Sequence, residues 1–313
     1  MTSSEDKHLI DKLLPFICLV LIAALSFNSF ISQSLWTDEA LTWWVTKDSF
    51  SDVISRSHGF QGQSPFYYSI IWLVQVLGFS SEIALRFPSM IFLLISSVFT
   101  FKIARRLFDR RTAWLSILFL LSFNPVLVSL SARPYSLGLA ASLGSICFLT
   151  SWLETQQKIS SIFSIIFLIL SFYAHYLFIF SSVIHLSFLI SSQGFKGSIR
   201  SILFFFFPVL LLCIPGISHL LHLWGVKEGL YFLRYPNLMD LVKAVIPPIG
   251  IIAVLSGLIA ALPAGNPLPK KEHFNSFKKP LWLIIFWSIS GPFVFFLFSL
   301  LLKGSLFTPR YFL

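Results

Sequence analysis

Long apolar runs recur along the chain and constrain its fold more than any other feature. A hydrocarbon core about 30 Å thick needs about 20 apolar residues per helix. Runs near this length occur at residues 13–32, 84–104, 112–131, 135–153, 159–174, 176–192, 201–217, 241–262 and 281–302. Because 56% of the 313 residues are apolar and only 12% are charged, one water-facing domain could not bury them. The sequence predicts an all-α polytopic transmembrane bundle over residues 1–313, a single membrane domain with about nine spans.

Charge and cysteine placement exclude several other classes of protein. The net charge of +10 comes from short Lys and Arg clusters between apolar runs, which indicates membrane topology and no nucleic-acid partner. The three cysteines lie inside apolar runs without CxxC spacing, so no disulfide framework or metal site is predicted. The sequence requires no cofactor; a divalent cation is compatible with it, but no residue pattern supports one. No acidic or basic residue lies deep in a predicted span, which counts against an ion-coupled transporter.

The apolar stretch 65–79 decides the topology. Its 15 residues reach only about 22 Å as a helix, too short to cross the core. If it spanned the membrane, the basic turn at 105–111 would face outside, against the positive-inside rule. We therefore predict an interfacial segment, an external loop over 33–83 and a cytoplasmic N-terminus in the cell inner (plasma) membrane.

The external loop begins with two adjacent acids, Asp38 and Glu39, beside several tryptophans. A helix start would also explain them, with Thr37 as its cap and negative charge in the first turn. Apolar residues over 41–54 then repeat at i, i+3 and i+4, which predicts short helices lying on the membrane surface. Residues 57–68 add two glycines, a proline and paired tyrosines, typical of a mobile turn followed by a helix start.

Four basic side chains are predicted at the same membrane face as these acids: Arg86, Arg133, His175 and Arg310. Arginine forks suit phosphate oxygens, so their convergence would indicate a phosphate site. An arginine taken alone is more often a membrane-interface anchor, and a histidine between aromatic residues is more often a packing residue. Two further histidines are interpreted as packing residues: His185 and His219.

Four short motifs occur in order: Trp36-Thr37-Asp38-Glu39-Ala40, Pro65-Phe66-Tyr67-Tyr68, Leu85-Arg86-Phe87-Pro88-Ser89 and Ala132-Arg133-Pro134-Tyr135. Together they resemble the GT-C membrane glycosyltransferases. The resemblance is to the family 39-like branch, with protein O-mannosyltransferases, lipid A aminoarabinose transferases and Rgt-like sugar transferases. It covers residues 35–154 well and the remainder by hydropathy, apart from Arg310-Tyr311-Phe312, which is similar to a late RY motif.

This sequence departs from the family pattern at two places. Gln63-Ser64-Pro65 stands where the family usually has His-Pro-Pro, and Ser131 stands where many relatives have an acid. A second external carboxylate, or a metal held between two acids, is therefore not predicted. The chain ends at Leu313 before what resembles another hydrophobic helix, which leaves a fragment of a longer protein as one interpretation.

The resemblance implies transfer of a sugar from a polyprenyl-phosphate donor to a lipid, glycan or protein hydroxyl on the outer face, usually with inversion. It implies Asp38 as the base, with Glu39 orienting it or the acceptor. The implied donor-phosphate ligands are Arg86, Arg133, His175 and Arg310. The implied substrate-binding residues are Trp43, Trp44, His58, Gln63, Tyr67, Tyr68, Tyr135, Tyr176 and Tyr311. Two rival interpretations remain: a lipid carrier or flippase that breaks no bond, and a membrane scaffold with dispersed arginines.

Overall fold

The computed structural model describes residues 34–59, 63–122, 126, 128–225, 235–245 and 289–301, with positions 17, 20, 21 and 24. Across these residues the chain forms helices joined by turns, and none of them is in a strand. The predicted all-α class is therefore confirmed.

The helices are α1 (Thr37–Thr46), α2 (Phe50–Gly59), α3 (Phe66–Val76), α4 (Glu82–Leu107), α5 (Arg110–Ser122), α6 (Tyr135–Thr155), α7 (Lys158–Ala174), α8 (Ser181–Gly225), α9 (Leu238–Val245) and α10 (Ile289–Leu301). A 3-10 turn, Tyr176–Phe180, leads from α7 into α8. Gly194 has φ +73° and kinks α8.

Four helical segments in the described part of the chain are long and apolar enough to cross a membrane: Glu82–Leu107, Tyr135–Thr155, Tyr176–Gly194 and Lys196–Leu221. They match the runs predicted at 84–104, 135–153, 176–192 and 201–217. The predicted spans at 13–32 and 241–262 lie mostly outside the described residues. The count of about nine spans and the orientation in the bilayer stay predictions.

The segment that decides the topology forms the short helix α3. Its 11 residues extend about 16 Å at 1.5 Å per residue, about half the hydrocarbon thickness. This length agrees with the predicted interfacial location of residues 65–79.

Two short helices occur here, as the apolar spacing predicted: α1, which contains the acidic pair in its first turn, and α2. The expected cap was wrong by one residue. Helix α1 begins at Thr37, so Trp36 occupies the N-cap position. Glu39, in the first turn, reaches back to accept a 3.4 Å hydrogen bond from the Trp36 backbone N–H.

Helix α6 is the most buried of the four candidate spans: 78% of its most apolar 18-residue stretch is buried inside the protein. Small residues let its neighbours approach closely, as is common in membrane helix packing. A Cβ at Gly144 would lie 2.7 Å from the Phe167 ring of α7 and 2.9 Å from the Phe99 ring of α4. Gly144 therefore sets the spacing of α4, α6 and α7. Helix α4 begins at the site described below, and α7 ends there.

We expect Gly144→Val to lower the free energy of unfolding by about 1–3 kcal/mol, the usual cost of overpacking a filled core. Gly197→Val is the matched control, because the nearest atom to a Cβ there is the Gln193 Cβ at 3.7 Å. Thermal unfolding of the purified variants in one detergent measures the difference. Equal midpoints for the two variants would show that α6 can move away from its neighbours.

Candidate active site

Glu39 lies at the centre of a buried polar cluster, with only 1% of its surface exposed. Its Oε1 accepts hydrogen bonds from Arg86 Nε at 2.8 Å and from the Ala132 backbone N–H at 2.8 Å. Its Oε2 accepts from Arg86 Nη2 at 2.6 Å and from the Trp36 backbone N–H at 3.4 Å. Four donors thus saturate this carboxylate and join α1, the start of α4 and the turn before α6.

Arg86 is the cationic partner of Glu39, and it is only 3% exposed. Its Nη2 also donates to the Ser34 backbone carbonyl at 3.2 Å. Two buried charges in this bidentate geometry neutralise each other, whereas either one alone would be costly. The geometry therefore favours Arg86 as the group that fixes Glu39, a different task from the phosphate contact that the sequence suggested.

Arg133 brings a second buried cation to the same end of the bundle, with 5% of its surface exposed. Its Nη1 lies 3.3 Å from the Asp38 backbone carbonyl and 3.5 Å from the Tyr68 hydroxyl. Its guanidinium carbon is 6.0 Å from the centre of the Tyr135 ring. The turn before α6 thus holds Arg133 between the acidic start of α1 and the tyrosines.

Asp38 is the more accessible of the two acids. It is half-buried, whereas its neighbour Glu39 is fully enclosed. Its backbone carbonyl accepts from the Thr42 hydroxyl at 3.2 Å and from Arg133. Adjacent residues on a helix point about 100° apart, which explains why one acid faces the core and the other the surface.

A chain of side-chain contacts extends from Arg133 through Tyr68 and Gln63 to His175. The Tyr68 hydroxyl donates to Gln63 Oε1 at 3.3 Å, and Gln63 Nε2 lies 3.3 Å from His175 Nε2. The Leu177 backbone N–H donates to His175 Nδ1 at 3.3 Å. Burial raises the pKa of Tyr68, so its hydroxyl stays protonated. Gln63, where the family usually has histidine, connects α3 to the end of α7.

Tyr67 and Ser89 form a separate support beneath the site. Their hydroxyl oxygens are 3.0 Å apart, and the Ser89 hydroxyl lies 2.8 Å from the Ser131 backbone carbonyl. Burial raises the pKa of Tyr67 as well. This contact holds α3 and α4 against the turn that carries Arg133.

A cavity of about 810 Å³ opens beside this cluster and is lined by residues of α2, α3, α7 and α8. The His58 and His219 ring centres are 4.3 Å apart at its wall, and the Tyr176 hydroxyl lies 2.9 Å from His219 Nδ1. Burial lowers the pKa of His58, which favours its neutral form. A Cβ at Gly216 would lie 2.4 Å from the Phe172 ring, so that glycine allows close packing beside the cavity.

The sequence indicated a packing role for His219. It instead lines this cavity together with His58 and Tyr176, which were predicted to bind substrate. No local motif surrounds His219, and 161 residues separate it from His58. Only the tertiary structure brings the two rings together. The other histidine interpreted as packing, His185, is fully buried and contacts the Ser164 hydroxyl.

The tryptophans predicted to bind substrate lie at the edge of the cluster. Trp43 is 41% exposed, with the Lys47 ammonium 5.4 Å from its ring centre. Arg56 stacks 4.7 Å above the Trp44 ring and donates to the Trp44 carbonyl at 2.8 Å. These contacts are typical of residues that hold a short helix at a membrane surface. Two predicted site residues lie outside the described residues: Arg310 and Tyr311.

An apolar helical bundle with a buried cluster of acid, arginine and tyrosine side chains defines an integral membrane protein with a polar site near one end of its candidate spans. Residues 62–222 match the family model described as dolichyl-phosphate-mannose-protein mannosyltransferase. The match covers just over half of the chain, so the protein belongs to this family. It is therefore a glycosyltransferase of the GT-C type, which uses a polyprenyl-phosphate sugar, and the resemblance of its motifs is confirmed.

No curated protein and no solved structure matches the chain. The matched range contains Arg86, Arg133 and His175 but begins after Asp38 and Glu39. Asp38 and Glu39 are therefore identified as site residues by their geometry and by the short motif around them.

Proposed function

We propose that the protein transfers a sugar from a polyprenyl-phosphate donor to a hydroxyl acceptor on the outer face of the plasma membrane, with inversion. The single observation behind this proposal is the unequal environment of the adjacent acids. Glu39 has both oxygens occupied by protein donors, whereas Asp38 is only half-buried and lies beside Arg133. One acid is structural, and the other is accessible to substrate.

Asp38 acts as the general base in this proposal. An acceptor hydroxyl has a pKa far above neutrality, and a positioned base raises its rate of attack by about 10²- to 10⁴-fold. Glu39 contributes by orienting the first turn of α1 and therefore the Asp38 side chain. Arg86 in turn fixes Glu39.

The proposed inversion is inferred from the two adjacent acids of the cluster. A retaining transfer by double displacement needs a carboxylate nucleophile as well as an acid or base. The neighbouring carboxylate, Glu39, is saturated by four donors and cannot attack a sugar. A single displacement with Asp38 as base fits these residues.

The departing lipid phosphate is stabilised by Arg133, with Tyr68 beside it. Charge develops on this phosphate in the transition state, and preorganised donors stabilise developing charge better than water does. His175 and, outside the described residues, Arg310 complete the proposed donor site. No metal ion is required in this scheme.

The cavity lined by His58, Tyr176 and His219 is the proposed binding site for the parts of the donor and acceptor other than the phosphate and the attacking hydroxyl. It adjoins Gln63 through Ser64 and lies next to His175 through Tyr176. The sugar contacts Gln63, Tyr68 and Tyr135 in this proposal, whereas Tyr67, predicted with them, supports α3 and α4 beneath the site. The exposed Trp43 and the nearby Trp44 contact the lipid chain or bilayer at the edge of the site.

Two alternative functions fit the geometry less well. A scaffold has no reason to gather its arginines, yet Glu39 contacts both Arg86 and the residue before Arg133. A carrier that binds the same lipid phosphate gains nothing from Asp38, because a carboxylate close to the phosphate repels it.

The test is whether the purified protein breaks the donor's sugar–phosphate bond. The protein is reconstituted in vesicles with polyprenyl-phosphate mannose labelled in the sugar and a membrane extract as the source of acceptors. We expect release of free polyprenyl phosphate and transfer of label to the acceptor fraction, both absent with heat-inactivated protein. Movement of intact donor across the vesicle membrane without release would support the carrier function instead.

A further inference from the structure

A second cavity, of about 980 Å³, lies between α4, α5 and α6. Lys102, Arg105 and Arg106, near the end of α4, line it. Arg86 lies near the start of the same helix, at least 16 residues or about 24 Å away. This cavity is therefore separate from the candidate active site and belongs to the opposite end of the bundle.

The polar end of this cavity has excess positive charge. Its lining residues include three cations and one carboxylate, Glu154. Arg106 Nε pairs with Glu154 at 2.9 Å, and Arg106 Nη1 donates to the Cys147 carbonyl and the Thr150 hydroxyl at 2.8 and 2.9 Å. Because Glu154 balances Arg106, and within the described ranges no ion pair involves Lys102 or Arg105, the charges of these two residues can attract an anion.

The rest of the cavity is mostly apolar and extends over most of the depth of one leaflet. Its apolar wall on α4 extends from Phe101 to Leu94, 7 residues or about 11 Å. One leaflet contributes about half of the 30 Å hydrocarbon core. Side chains from α5 and α6 complete the apolar wall: Trp114, Ile117 and Phe148.

We propose that this cavity binds an anionic phospholipid of the leaflet opposite the active site. Its headgroup phosphate contacts Lys102 and Arg105, and one acyl chain lies along Val98 towards Leu94. Basic pockets between membrane helices attract anionic headgroups, and the apolar wall below them covers most of the depth of one leaflet. The bound lipid fills the gap between α4 and α5 and so stabilises the helix whose other end holds Arg86.

The test compares lipid retention by native mass spectrometry of detergent-purified protein titrated with phosphatidylglycerol or phosphatidylcholine. We expect phosphatidylglycerol to bind at least tenfold more tightly than phosphatidylcholine. The double variant Lys102→Gln/Arg105→Gln should lose at least tenfold in affinity for phosphatidylglycerol. Arg110→Gln/Arg111→Gln is the matched control, because it removes the same charge from exposed residues that do not line the cavity, and it should change affinity less than twofold.

A third variant tests the apolar part without changing charge. Val98 lines the cavity and is 52% exposed, so Val98→Trp should narrow the cavity, weaken phosphatidylglycerol binding and leave a folded protein by gel filtration. Equal losses of phosphatidylglycerol affinity in the two double variants would show that general surface charge, and not this cavity, causes the binding. That result would overturn the proposal. Preferential binding of polyprenyl phosphate over phosphatidylglycerol would also overturn it, since the occupant would then be the carrier.

Discussion

Glu39→Gln is expected to destabilise the protein by about 3 kcal/mol or more, the cost of leaving a buried ion without its partner. The substitution preserves the shape of the side chain but removes the charge that neutralises Arg86. Both side chains of this pair are at most 4% exposed, so solvent cannot replace the lost carboxylate. Thermal unfolding of the purified variant, followed as loss of the monodisperse species, measures the effect.

The double variant Glu39→Gln/Arg86→Met separates the ion pair from the other contacts of Glu39. It removes both charges together, so we expect it to recover at least half of the stability lost in the single variant. Asp38→Asn is the matched control: it makes the same chemical change one residue away, on a half-buried acid, and should leave stability unchanged. If Glu39→Gln unfolds like the parent protein, the pair does not stabilise the fold.

Asp38→Asn is expected to abolish sugar transfer while donor binding persists. Asparagine cannot accept the acceptor's proton, so the loss should reach at least the 10²- to 10⁴-fold that a general base provides. The measurement pairs single-turnover release of polyprenyl phosphate with a binding titration of the intact donor. Normal turnover by this variant would remove Asp38 from the chemistry.

Arg133→Gln is expected to affect donor binding, whereas Asp38→Asn is expected to affect turnover. Loss of the cation should weaken donor binding, because the phosphate loses its buried positive partner, whereas Asp38→Asn should not. The two variants therefore separate binding from chemistry. A binding defect in Asp38→Asn with normal single-turnover chemistry would instead make Asp38 a helix-start residue.

Much of the fold could be predicted because apolar length and basic turns constrain a membrane chain strongly. The boundaries of α4 and α6 lie within a few residues of the predicted runs. The turns at Arg133 and His175 could be placed at one end because antiparallel helices joined by short turns alternate direction. Contacts among α1, α3, α4 and the turn before α6 now join these segments.

The division of tasks within the cluster could not be predicted from the sequence. Whether Arg86 faces Glu39 or a ligand depends on side-chain direction across 47 residues of chain, which no local pattern records. Gln63 breaks the family motif, yet it contacts Tyr68 and His175. His219 lies at the end of an apolar run, where hydropathy gives no signal for a cavity.

The three-way attachment of Glu39 also sets an order for biosynthesis. Glu39 leaves the ribosome 47 residues before Arg86 and 93 residues before Ala132. Before Arg86 is synthesised, the Glu39 carboxylate has only the local Trp36 donor of this cluster, and before Ala132 is synthesised it lacks the donor from the turn before α6. The cluster is therefore completed late, and a nascent chain that stops before the turn at Ala132 lacks the geometry that orients Asp38.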